Sequence, residues 1–406
     1  MKKIFLPPFF GLALIAAILA AGNFLCPARR FSLNDLSLRW IINPGRVFVP
    51  RREAAGQELC TNSELVRLDN KSRCFVPQKS PDVFRIFCLG GSTTQGWPFQ
   101  NILSYPDFLS HELKDVLPGK RVEIINAGIN SSDSTSDLPL FKELLRYKPN
   151  LIFIYEGRNE VLLAPLHFGF RAKLLIPHLW LLRHVSLYNY LRRRFYPNKT
   201  FDLSDGIRRW ASQSLGPNYP DIARRHMIKN LSRMIILARQ DHCRVMLLTQ
   251  VTDPDDPNDS PWLKGFNDSI KRLAAEEHVP VADTAKAFDS YHGGLGPIFL
   301  HRLWHPDVGG YFLISQTALH ALARSGLLAP NRDWRWNQEK SELTYLRELS
   351  VTPKSLAATY LFLRFVCVSI ERANPPLRSQ YQSMPQKYAA LAHALWRRGW
   401  AGVSVR

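Results

Sequence analysis

Four residues, far apart in the chain, have the types that acyl chemistry needs: Ser92, Gly128, Asn159 and His305. A serine hydroxyl is a weak nucleophile until a base within hydrogen-bond reach takes its proton. The oxyanion formed by attack on a carbonyl then needs N–H donors. Ser92 follows Leu89-Gly90-Gly91, where the chain turns abruptly. His305, in His305-Pro306-Asp307, opens a polar loop before a helix and is the best base among twelve histidines. Gly128 can bring a backbone N–H close to a ligand. The Asn159 amide offers two N–H donors without charge, and the Ser92 N–H adds a further one. Read singly, these are also a turn serine, a turn glycine, a turn asparagine and a surface histidine. Gly90-Gly91-Ser92-Thr93-Thr94 lacks the closing glycine of a G-x-S-x-G nucleophile elbow.

The elements that must position them follow a repeating order. Phe84 to Leu89 is an apolar run rich in aromatic and aliphatic residues, which reads as a buried strand. Tyr105 to Leu117 has helical spacing and stops at Pro118-Gly119. Val122 to Asn126 is a second strand, Asp137 to Tyr147 a helix, and Leu151 to Tyr155 a third strand. Ile222 to Gln240 is an amphipathic helix, followed by a strand over Arg244–Val251, a helix over Trp262–His278 and a short strand over Val279–Asp283. Strand, turn and helix at this spacing make βαβ units and a parallel sheet. Ser92, Gly128 and Asn159 each follow a strand, so they gather along the carboxyl edge, where open α/β sheets bind ligands.

In this order the blocks resemble the SGNH (GDSL-like) hydrolase superfamily. Leu89-Gly90-Gly91-Ser92-Thr93-Thr94 is similar to the first block, with its nucleophilic serine, and Asn126-Ala127-Gly128 to the second, with its oxyanion glycine. Gly157-Arg158-Asn159-Glu160 is similar to the third, with its oxyanion asparagine, and His305-Pro306 with Gly310-Tyr311 to the last, with the catalytic histidine. The resemblance covers about Phe84 to Ser325. It implies a flavodoxin-like three-layer α/β/α sandwich and an esterase, lipase, carbohydrate acetylesterase or related acyltransferase that needs no metal or cofactor.

One position departs from that pattern. The family usually carries an aspartate three residues before the histidine, and this chain has Arg302. A cation there disfavours the imidazolium. Three arrangements are open: a Ser–His dyad oriented by a backbone carbonyl, a substitute acid among Asp283, Asp289 and Asp307, or a site that binds without cleaving.

Composition sets the wider frame. The 406 residues are 46% hydrophobic and 21% charged, with a formal net charge of +19, which describes a globular and strongly basic chain. Between Arg171 and Arg244 fifteen lysines and arginines face four acidic residues. Such a region favours an anionic neighbour: a lipid surface, an acidic glycan or nucleic acid. With no zinc spacing, helix-turn-helix signature or RNP-type aromatic pattern, nucleic acid is not expected. No Cys-x-x-Cys or Cys/His cluster suggests a metal. Cys60 and Cys74 flank a short polar segment and could pair in an oxidising compartment.

Met1-Lys2-Lys3 precedes an uncharged apolar run, Ile4 to Leu25, close to the ~20 residues a spanning helix needs. It reads as a signal peptide or, preferably, a retained anchor with the body outside the cytoplasm. Residues 1–26 are therefore the signal or anchor, 27–81 an irregular lead-in and 82–328 the catalytic body. That body carries a basic helical insertion near 161–220, over the active edge or facing a membrane. Residues 329–406 form a helical extension that packs on the core or on a membrane surface. The expected function is a serine esterase that hydrolyses or transfers an acyl group, with O-acetyl groups on a glycan as the specific candidate. The alternative is a non-catalytic binding or scaffold protein of a cell-envelope assembly.

Overall fold

In the computed structural model the described residues are 46–50, 58–62, 73–99, 102–168, 218–253, 261–291, 298–300, 303–373 and 382–402. The expected N-terminal anchor, most of the basic insertion and Arg302 lie outside them. Packing divides the chain into two units. One is Gly45–Val161 with Pro220–Arg406; the other is Met1–Pro44 with Leu162–Tyr219, of which only 162–168 and 218–219 are described.

The larger unit begins with three short strands, β1 (Phe48–Pro50), β2 (Leu59–Thr61) and β3 (Cys74–Phe75). They form an antiparallel sheet where the sequence pattern read as irregular. Cys60 and Cys74 face each other across β2 and β3 and are joined by a disulfide. Then come β4 (Val83–Gly90), α1 (Ser92–Gln95), α2 (Tyr105–Val116), β5 (Arg121–Asn126), α3 (Ser134–Leu145), β6 (Leu151–Tyr155) and α4 (Arg158–Phe168). After the second unit's segment follow α5 (Tyr219–Gln240), β7 (Arg244–Leu248), α6 (Leu263–Glu276), β8 (Val281–Ala282) and α7 (Thr284–Asp289). The pair β9 (Phe299–Leu300) and β10 (His305–Pro306) precedes α8 (Val308–Ser325). The chain ends in α9 (Glu342–Glu348), α10 (Pro353–Ala373) and α11 (Met384–Arg398).

The main sheet has the order β5-β4-β6-β7-β8, all parallel. Counted within the sheet, that is 2-1-3-4-5, the flavodoxin-like order, whose switch point lies between the first and third strands. The flanking strands β4 and β6 are the two that lead into Ser92 and Asn159. Both faces of these strands are buried: Ile86, Phe87, Cys88 and Leu89 on β4, and Leu151 to Tyr155 on β6. Burial on both sides explains why these strands are continuous apolar runs rather than alternating ones. One face packs with α2, α8 and the C-terminal helices into a single core that includes Phe153, Phe108, Leu319, Tyr360 and Leu363. Truncating Phe153 to Ala would cost about 3–5 kcal/mol.

The small sheet is tied to the main one by two devices. Phe48, Phe75, Phe87 and Tyr147 form a ring cluster with centroids 5.0 to 6.3 Å apart. Arg85 of β4 is buried, which is costly for a guanidinium unless its donors are met. Four of its five are: Nε donates to Glu123 (2.6 Å), Nη1 to the Pro77 and Tyr147 carbonyls and Nη2 to the Val76 carbonyl.

Candidate active site

Ser92 reaches its place through backbone conditions that only glycine meets. Gly90, the last residue of β4, has φ +152, and a Cβ there would lie 2.4 Å from Thr94 Oγ1 and 2.6 Å from the Tyr155 carbonyl. A Cβ on Gly91 would lie 2.7 Å from Asn159 Nδ2. The chain therefore leaves the strand directly into α1, with Ser92 as its first residue. Asn126, at the end of β5, fixes that helix from the side, its Nδ2 donating to the Thr94 carbonyl (2.6 Å) and to Ser104 Oγ (3.1 Å).

His305 enters 213 residues later in the chain. β10 pairs antiparallel with β9, His305 opposite Leu300. Asp307 caps α8, accepting from the Val308 N–H (2.8 Å). Nε2 of His305 lies 2.6 Å from Ser92 Oγ. Nδ1 lies 2.5 Å from the Leu303 carbonyl oxygen. That carbonyl can only accept, so Nδ1 carries the proton and Nε2 is the lone-pair nitrogen facing the serine. The ring also meets the indole of Trp97, centroids 4.5 Å apart. Trp97 is itself held by Tyr311, whose hydroxyl donates to its carbonyl (2.6 Å).

Burial moves the His305 pKa down from 6.5 to about 4. The Leu303 hydrogen bond opposes that shift, and the positive charge of Arg158 adds to it. The imidazole is neutral at neutral pH, the state a base requires. No carboxylate meets Nδ1 in the described geometry. Asp283 caps α7 and accepts from Thr249 Oγ1 (2.8 Å). Asp307 accepts from Tyr360 Oη (2.8 Å) as well as from Val308. Asp289 ends α7.

Asn159 lies in the first turn of α4 and directs Nδ2 to the Ser132 carbonyl (2.6 Å), beside Gly91. The second N–H of that amide remains for a ligand. Gly128 is placed differently. Its N–H donates to Asn126 Oδ1 (2.9 Å), and a Cβ on it would lie 2.3 Å from the Gln95 N. It lets α1 pass close over the end of β5, and it does not line the cleft beside Ser92.

That cleft, about 260 Å³ and partly open, is lined by Gly91, Ser92, Thr93, Tyr155, Glu156, Gly157, Arg158, Asn159 and Gln250. Sequence reasoning assigned no role to Glu156, Arg158 or Gln250. Arg158 is nearly buried and donates from Nη2 to the Val251 carbonyl (2.8 Å). Glu156 of the cleft and its neighbours Asp133, Asp137 and Glu160 are all buried. Burial and mutual repulsion raise the carboxyl of Asp137 to about 7 and push Glu156 and Glu160 well above the usual range. Glu160 Oε1 accepts from the Ser134 N–H (2.7 Å), and Asp137 from Ser132 Oγ (3.2 Å), so the group braces the strand-end loop that Asn159 binds.

A nucleophile–base pair at 2.6 Å beside amide donors suits acyl transfer. Among solved structures, the chain is similar to an acetylxylan esterase from Geobacillus stearothermophilus, at 16% identity, 59% of this chain, 93% of that one and a TM-score of 0.39. It is likewise similar to TesA (16% identity, 59% of this chain, 97% of that chain, TM-score 0.39). A third is LAE5, an alpha/beta hydrolase enzyme from the metagenome of Lake Arreo, Spain (17%, 61%, 96%, 0.38). Among curated proteins none matches. Residues 88–313 match the GDSL-like lipase/acylhydrolase family, more than half of the chain and all four blocks from Ser92 to His305, and the protein belongs to that family.

Proposed function

We propose that this GDSL-like hydrolase is a serine esterase acting on acyl esters through an acyl-enzyme on Ser92. The observation that carries the reading is the 2.6 Å approach of His305 Nε2 to Ser92 Oγ, with the tautomer set by Leu303. Ser92 attacks the ester carbonyl while Nε2 takes its proton. The Ser92 N–H, at the start of α1 with no intrahelical acceptor, and the second Asn159 N–H receive the oxyanion. Gly128, the further expected donor, takes that role only if its bond to Asn126 opens. His305 then returns the proton to the leaving alcohol, and water resolves the ester. In an acyltransferase a sugar hydroxyl would do so instead.

The cleft is narrow and polar, which favours a short acyl group on a polar alcohol, such as O-acetyl on a glycan. Among the described residues a carbonyl rather than a carboxylate meets His305 Nδ1, so turnover is expected to be slower than in a complete triad. The Cys60–Cys74 disulfide supports a body outside the cytoplasm, with residues 1–26 as its anchor. The test is hydrolysis of a chromogenic acetyl ester by wild type and Ser92→Ala. Activity that disappears with Ser92, with labelling of Ser92 by a serine-reactive phosphonate, supports the reading. Absence of both in the folded wild type overturns it.

A further inference from the structure

Helix α10 has two unlike faces. Leu356, Tyr360, Leu363 and Cys367, at intervals of three and four, are buried in the core. On the other side Leu361, Phe362 and Phe365 are 48%, 47% and 69% exposed. A helix that packs one face on a core normally turns a polar face outward. At the end of α11, Trp396 is 62% exposed, with the Lys354 ammonium 5.8 Å from its ring centroid.

The charges around these side chains are almost all of one sign. Lys354, Arg364 and Arg372 on α10 and Lys387, Arg397 and Arg398 on α11 face a single acidic residue on the two helices, Glu371. An apolar ridge of aromatic residues bordered by lysines and arginines has the composition of a helix lying in the interface of a bilayer. The stretch Pro353–Arg372 is also long and apolar enough to cross a membrane. Its inner face argues against crossing. Leu363 and Cys367 have no exposed surface, and Tyr360 is bonded to Asp307 beside the catalytic loop. The helix can therefore lie along a membrane, over about 30 Å at 1.5 Å per residue, but cannot leave the core to span it.

We propose that the outer face of α10, with the end of α11, docks on an anionic lipid surface. Phe362, Phe365 and Trp396 enter the headgroup boundary, and Lys354, Arg364, Arg372, Arg397 and Arg398 meet lipid phosphates. The charge complementarity selects anionic lipid as the occupant.

The experiment uses the full chain, with Cys26→Ser and Phe365→Cys, labelled at position 365 with an environment-sensitive fluorophore. Cys88, Cys243 and Cys367 are buried and Cys60–Cys74 is bonded, so they do not compete for the label. With vesicles of phosphatidylcholine and phosphatidylglycerol, the emission should shift to the blue and be quenched by brominated acyl chains. Replacing Arg397 and Arg398 by Gln should weaken that response at least threefold at physiological salt. A label that stays in water while the protein sediments with the vesicles overturns the proposal, since another segment then does the binding. An equal response to pure phosphatidylcholine also overturns it. So does a shift without lipid that tracks a doubling of molecular mass, which would make a second copy the occupant.

Discussion

His305 Nδ1 lies 2.5 Å from the carbonyl oxygen of Leu303, two residues earlier in the same loop. A neutral dipole occupies the place where an orienting carboxylate is expected. It fixes the tautomer as a carboxylate would, but it brings no charge to stabilise the imidazolium. The base is thus oriented and weak at once, and the pH behaviour should show both properties.

The acidic limb of kcat/KM reports the free enzyme's base. With His305 pushed down to about 4, the neutral form persists far below pH 6.5. Activity should therefore remain nearly flat from pH 7 to pH 5 and be half lost near 4. Arg158→Met removes a positive charge that disfavours the imidazolium, so the limb should move to higher pH. A pH–rate profile of both proteins checks the sign.

In the proposed mechanism Asn159→Ala removes an oxyanion donor that acts mainly in the transition state. We expect kcat to fall by about 100- to 1000-fold with little change in KM. Steady-state kinetics on an acetyl ester measure it.

Gly128→Ala separates two roles. Alanine keeps the backbone N–H, so a donor role would survive it. A Cβ 2.3 Å from the Gln95 N cannot be accommodated without moving α1. The expected cost is about 1–3 kcal/mol in stability, seen in urea unfolding, together with reduced labelling of Ser92 by a phosphonate.

Glu112 of α2 is buried against Ser315 of α8, and desolvation raises its carboxyl from 4.5 to about 8. The native state holds this proton and the unfolded chain releases it near 4.5. The stabilisation is fully present below about 4.5 and is lost as pH rises through 8. Asp137 and Glu342, both at about 7, act with the same sign. Glu112→Gln should flatten the fall of the urea midpoint between pH 5 and 8.

Much of this was legible because buried parallel strands leave unbroken apolar runs. Leu151–Tyr155 is observed as the pattern drew it, and β4 differs by one residue at each end. The strands β1 to β3 were not, since two or three residues show no period. Ser92 and His305, which the blocks single out, lie 2.6 Å apart. The block suggests a ligand-facing Gly128, yet close approach to a backbone demands glycine just as strongly, and sequence does not say which neighbour is meant. Arg158 gave no signal beyond its position between Gly157 and Asn159. Its effect on His305 arises because the start of α4 and β10 meet only in the fold. The carbonyl of Leu303 is invisible in principle, because every residue has one.

The bond from Tyr360 to Asp307 sets a schedule as well as a position. Domains fold as the chain is synthesised, and the sheet with Ser92 and Asn159 is encoded well before residue 300. The cap two residues beyond His305 waits for α10, near the end of the message. A nascent chain that stops short of Tyr360 already holds Ser92, Asn159 and His305 but lacks this bond to Asp307. The contact beside His305 therefore comes last, supplied by a helix made after the rest of the site.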